Sequence, residues 1–117
     1  KMKKLLGILV LGLLWCNVSF SEITVKKYLE LKDEKSNILI SNVAGIGSGF
    51  FWYNLLLDIE GKNQLYCLPE NFVLQYDNYI SFLDDSIIEQ RYKGTLDENH
   101  NIGLLILSKI IETFPCK

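Results

Sequence analysis

With 117 residues, 49% of them hydrophobic and 22% charged, the chain has the make-up of one small folded domain and not of a disordered or fibrous protein. Its formal charge of −2 conceals a division: taking Lys1, Lys3 and Lys4 away from the 12 basic residues leaves nine against 14 acidic ones, a net charge of about −5. A chain of that sign without a Lys/Arg stripe is repelled by phosphate backbones and anionic headgroups, which argues against nucleic acid or a membrane surface as partner and leaves other proteins.

Lys1-Met2-Lys3-Lys4 is a short basic head, and Leu5 to Trp15 is apolar throughout, broken only by Gly7 and Gly12. That order is the n-region and h-region of a secretory signal peptide. A spanning helix needs roughly 20 apolar residues, and Asn17, Ser19 and Ser21 arrive too early for one. The small residues Ser19 and Ser21 suit a signal peptidase, so residues 1–21 are read as a helical, cleaved leader and 22–117 as the mature domain. Acylation of Cys16 is the rival processing route, and the bulky Trp15 before it argues against that. The product is thereby expected to be periplasmic or secreted, with no membrane attachment after cleavage.

Cleavage leaves two cysteines, Cys67 and Cys116, and an even count in an oxidising compartment reads as a disulfide. Closing so long a loop removes denatured-state entropy worth about 4 kcal/mol at most, a large share of a small domain's net stability. The functional alternative, a reactive thiol, lacks a Cys-x-x-Cys pair or a neighbouring base.

Four helices can be drawn on the mature chain, an all-α reading with one disulfide. The first runs from Thr24, a good N-cap, to Lys35, with Val25, Tyr28, Leu29 and Leu31 apolar among charges. The second runs from Asn37 to Asp58 despite Gly45, Gly47 and Gly49, each of which costs up to about 1 kcal/mol relative to Ala. At about 100° per residue Ser41, Ala44, Gly45, Ser48 and Gly49 share one narrow face, and Ile46, Phe50, Tyr53 and Leu57 another. A stripe of small residues admits a neighbouring helix at close range, so dispersion contacts offset the lost propensity. The same glycines do not form a phosphate loop, because Phe50 stands where G-x-G-x-x-G needs its third glycine.

Gly61, Lys62 and Asn63 mark a turn, followed by an extended stretch from Leu65 to Leu68 that meets the disulfide. Pro69 suits the first position of a third helix, in which Phe72, Val73, Tyr76, Tyr79, Ile80, Leu83 and Ile87 form an amphipathic series. Asp77, Asp84, Asp85 and Glu89 read as its solvated side. Gly94 and Thr95 break the pattern, and Asp97 is placed to cap a fourth helix that Pro115 stops near Phe114. Its polar residues Ser108, Lys109, Glu112 and Thr113 crowd into a sector of roughly 140°, which makes it the central helix of the core or part of a dimer contact.

Chemistry is hard to find in these residues. Asp97 to Gly103 alternates oxygen-bearing side chains as a calcium loop does, yet its glycine is one position late and Ser108 stands where a bidentate Glu is required. His100 is the only histidine, without companions to hold a metal or relay a proton. Gly45-Ile46-Gly47-Ser48-Gly49 lacks the spacing of a serine nucleophile turn. No enzyme, cofactor or metal is therefore expected.

Tyr66-Cys67-Leu68-Pro69 before one amphipathic helix, and Thr113-Phe114-Pro115-Cys116 closing the next, together resemble the Rap/Tai family. These are small periplasmic immunity proteins that protect bacteria from peptidoglycan amidases delivered by type VI secretion. The likeness spans Val43 to Lys117. It implies an all-helical, frequently dimeric fold that blocks an amidase by inserting a loop or helix edge into its groove. Many members carry further cysteines upstream, which the mature chain lacks, and the family's inhibitory residues lie outside the shared pattern. If inhibition is the function, the turn from Tyr92 to Asn101, with Tyr92, Lys93, Asp97, Glu98 and His100, is the expected partner contact. The alternative is a periplasmic stress chaperone of Hde type, in which one disulfide holds a helical domain that bares apolar surface when conditions change.

Overall fold

A computed structural model describes residues 23–34 and 36–117, so the leader reading of residues 1–21 lies outside the described residues. The described chain holds four α-helices, α1 (Val25–Leu31), α2 (Asn37–Ile59), α3 (Tyr76–Lys93) and α4 (Ile102–Thr113), with a 3-10 turn, Lys32–Glu34, extending α1. No strand forms among the described residues; Thr24 and Asn101 make one isolated antiparallel bridge.

Caps fix the helix starts. Thr24 Oγ1 accepts the Lys27 N–H at 3.3 Å, and Ser36 Oγ accepts the Ile38 N–H at 3.2 Å, each satisfying an orphan donor of a first turn. Between Ser36 and Asp58 no charged side chain occurs, so nothing in α2 marks a preferred wet side. Only one stripe of it, Leu39, Val43, Gly47 and Asn54, is buried.

The core gathers α1, α3 and α4 with that stripe: Val25, Tyr28, Val43, Leu83, Ile102, Ile106 and Ile110 are fully enclosed. In α4 the polar sector turns outward, and Ile102, Leu105, Ile106 and Ile110 line the inner side, so this helix is central as its pattern predicts. Cys67 and Cys116 are joined across 49 residues, with Cα atoms 5.0 Å apart. That bridge ties the segment after α2 to the chain end beyond α4, and the Cys67 N–H donates to the Phe114 carbonyl at 2.9 Å beside it.

Three expectations need correcting. The third helix does not begin at Pro69 but at Tyr76. The disulfide and the Cys67–Phe114 bond hold the chain extended there, Asn71 takes a positive φ of 62°, and Phe72 and Val73 lie exposed outside any helix. A turn in the left-handed region cannot continue an α-helix, so the helix waits for Gln75, whose N–H donates to Asn78 Oδ1 at 2.8 Å. The fourth helix starts at Ile102 with Asn101 as N-cap, not at Asp97. Asp97 instead accepts the Asn99 N–H at 2.9 Å, closing a turn of its own. Finally, the small-residue stripe of α2 meets no neighbour: a Cβ added to Gly45 or Gly49 would find nothing within 4 Å. Gly47 alone is close-packed, against the ring of Tyr79 from α3.

Candidate functional site

The turn between α3 and α4 is the first candidate surface. Gly94 ends α3 in the left-handed region at φ 70°, where glycine carries no steric cost, and the Thr95 N–H returns to the Gln90 carbonyl at 2.9 Å. Further on, the His100 N–H donates to the Asp97 carbonyl at 3.1 Å. The turn is then tied to α1: the Glu98 carbonyl accepts the Lys26 N–H at 3.0 Å and the His100 carbonyl accepts the Val25 N–H at 2.9 Å. Those two donors belong to the first turn of α1 and have no partner inside it, so one short helix and one exposed turn hold each other in place.

All five residues expected there, Tyr92, Lys93, Asp97, Glu98 and His100, are exposed. His100 Nε2 stands 3.5 Å from Asp97 Oδ2. Lys93 turns back along α3 to Glu89 at 2.9 Å, and Lys109 of α4 reaches the same carboxylate at 3.1 Å. Hydrogen bonds from Lys93 and then Lys109 hold the Glu89 carboxyl below its usual range. Tyr92 is 93% exposed, and Ile88, one helical turn before it, is 64% exposed. The arrangement offers an aromatic anchor beside mixed charge on a backbone already fixed; among the described residues no three His, Cys, Asp or Glu side chains gather to hold a metal.

The second surface is the outer side of α2. Ile38 is 71% exposed, Trp52 64%, Leu56 49% and Ile59 73%, with Gly45 and Ser48 between them, also exposed. Grooves flank this ridge. On one side Ala44, Ser48, Phe51 and Trp52 face Leu68 and Val73; on the other Gly45, Ile46 and Gly49 face Gly103, Leu104 and Leu107 of α4. Asn42 borders the latter groove, and its Oδ1 is buried and accepts no hydrogen bond.

Two polar knots, one half-buried and one buried, tie these elements together, and neither is legible as such in the sequence. Asp84, expected on the wet side of α3, accepts the Tyr28 hydroxyl at 2.7 Å and pairs with Lys32 at 3.2 Å. Burial, with the Asp84 hydrogen bond behind it, raises the Tyr28 phenol well above its usual pKa. Asn54 uses its amide as a backbone substitute: Oδ1 accepts the Leu65 N–H at 2.8 Å while Nδ2 donates to the Tyr66 carbonyl at 2.9 Å. That pins the segment leading into Cys67 against α2. Tyr66 itself is enclosed, and burial pushes its phenol up to about 12. An Asn inside an otherwise apolar helix is a signal that could have drawn attention to Asn54, but Asn42 of the same helix carries it equally.

No protein-family model, no curated protein and no solved structure matches this chain.

Proposed function

We propose that this chain is an exported protein-binding protein without catalysis of its own, acting in the periplasm or outside the cell as an immunity-type inhibitor of a peptidoglycan amidase. The observation that carries the reading is the turn from Tyr92 to Asn101: exposed apart from Leu96, which packs on the core, and the half-buried Asn101, headed by an almost bare tyrosine, and fixed through backbone bonds to α1. Inhibitory loops gain affinity when they are held in shape before binding, because less conformational entropy is lost on association. A tyrosine held on the last turn of α3 at the edge of such a loop is a suitable aromatic anchor. The paired motifs around Cys67 and Cys116 and the leader-like residues 1–21 support the same reading, and the disulfide fits an oxidising compartment.

Expressing the chain in the periplasm together with amidase toxins, and scoring lysis, tests this. Protection that is lost on Tyr92→Ala, with the domain still folded, is the expected result. Lysis against every amidase class tried, with no complex formed by the purified protein, would remove the reading.

The bare side of α2 favours a second reading, the Hde-type chaperone that holds unfolded clients on apolar surface. Its signature is acid-triggered release of a dimer with suppression of client aggregation. An oligomeric state unchanged at low pH would exclude it.

A further inference from the structure

An apolar ridge this wide is not stable facing water, and its pattern says what fits it. Along α2, Ile38, Gly45, Trp52 and Ile59 recur every seven residues on the side away from the core, with Ser41 and Ser48 between them. This is the seam spacing of two helices packed side by side. The seam is unequal end to end: small residues, Ser41, Ala44, Gly45, Ser48 and Gly49, fill its first half, while Phe51, Trp52, Leu56 and Ile59 fill its second.

We infer that α2 pairs antiparallel with α2 of a second copy of this chain. A two-fold axis between Ser48 and Gly49 sets Ile38 against Ile59 of the second copy, Ser41 against Leu56, and Gly45 against Trp52. Each bulky side chain then meets a small one or a matching aliphatic, and every pairing occurs twice, as an isologous contact requires. Gly45 has open space where a side chain would be, so the indole of the second copy can lie directly on the backbone. The ends also agree: in an antiparallel pair the C-terminal end of each α2 lies beside the N-terminal end of the other, so that opposite ends of the two helix dipoles meet.

The area suffices. Side chains of this size offer about 150–250 Å² when fully exposed, and Ile38, Trp52, Leu56 and Ile59 on the ridge are 71%, 64%, 49% and 73% exposed. These four alone supply roughly 500 Å² per copy, about 1,000 Å² in all, the lower bound of a specific interface. This contact lies on a different surface from the Tyr92 turn and leaves one such turn free on each copy, so it stands or falls independently of the inhibitor reading.

The test uses the exported chain, 22–117. Sedimentation equilibrium is expected to give twice the chain mass, and Trp52→Glu to weaken association at least about thirtyfold with helical content unchanged, because Trp52 is mostly exposed in the single chain. Oxidative cross-linking fixes the geometry. Ser48→Cys is expected to link to itself across the axis, and an Ile38→Cys chain to link with an Ile59→Cys chain but not with itself. A monomer at every concentration, a dimer that Trp52→Glu leaves intact, or self-linking of Ile38→Cys, the mark of a parallel pair, would each overturn the inference. So would a monomer whose Trp52 emission shifts only on adding neutral lipid vesicles, which would give the ridge to a membrane.

Discussion

Helices α2 and α4 are about equally apolar, yet one sits at the centre of the molecule and the other lies half bare. The difference is one of arrangement. In α4 the polar residues crowd into one sector, so Ile102, Leu105, Ile106 and Ile110 all turn to the core, and only Leu104 and Ile111 are left exposed among its large apolar side chains. In α2 the apolar residues run all the way round, and the domain has only enough neighbours to cover one stripe. A helix of this second kind leaves one side on the core and one side bare, the side assigned above to a second copy.

Truncating each helix should break or support that contrast. Ile106→Ala in α4 removes a fully enclosed side chain and is expected to cost about 2–5 kcal/mol in denaturant unfolding. Leu56→Ala on the outer side of α2 is expected to change the stability of the single chain by no more than about 0.5 kcal/mol. Comparable losses at both positions would mean that the outer side of α2 is not bare.

The bridge should come next. Replacing Cys67 and Cys116 with Ser is expected to cost about 2–4 kcal/mol in thermal or urea unfolding, because the segment after α2 loses its tie to the chain end.

Two glycines within one turn of α2 sharpen the contrast further. A Cβ at Gly47 would collide with the Tyr79 ring, so Gly47→Ala is expected to destabilise by about 1–3 kcal/mol. A Cβ at Gly45 meets nothing, so Gly45→Ala is expected to stabilise the single chain by up to about 1 kcal/mol through helix propensity. Equal signs for the two substitutions in unfolding experiments on dilute protein would contradict the placement of α2.

Alkali gives a smaller, graded effect. The enclosed Tyr66 phenol is pushed up to about 12, and Tyr28, Tyr76 and Tyr79 are raised too, chiefly by burial. A group whose pKa is higher in the folded state favours folding below its unfolded value and loses that contribution as pH rises. Stability is therefore expected to decline from about pH 10 upward, with the phenolate absorbance of these residues appearing together with unfolding.

Much of this was readable in advance where local chemistry decides the outcome. The second helix, read from Asn37 to Asp58, is found at Asn37–Ile59, and Cys67 and Cys116, the two cysteines of residues 22–117, leave one pairing. Where tertiary contacts decide, reading failed. Pro69 is a good helix start locally, but the bridge beside it and the turn at Asn71 delay α3 to Tyr76. Asp84 is indistinguishable from its neighbours Asp85 and Asp77 until α1 brings Tyr28 to it. The small residues of α2 signalled a close helix neighbour, and the signal did not say whether that neighbour lies in the same chain. For the candidate contact residues, the positions of Gly94 and Thr95 located the turn, whereas its ties to Val25 and Lys26 depend on the fold.

Trp52 is the sole tryptophan of residues 22–117, and it lies on the ridge through which α2 is assigned to a second copy. Its fluorescence under serial dilution tests that assignment most directly. A blue-shifted emission in concentrated protein is expected to move to the red as copies separate, with the same midpoint as the fall in mass. A water-exposed emission that stays constant from the most dilute to the most concentrated sample would contradict it.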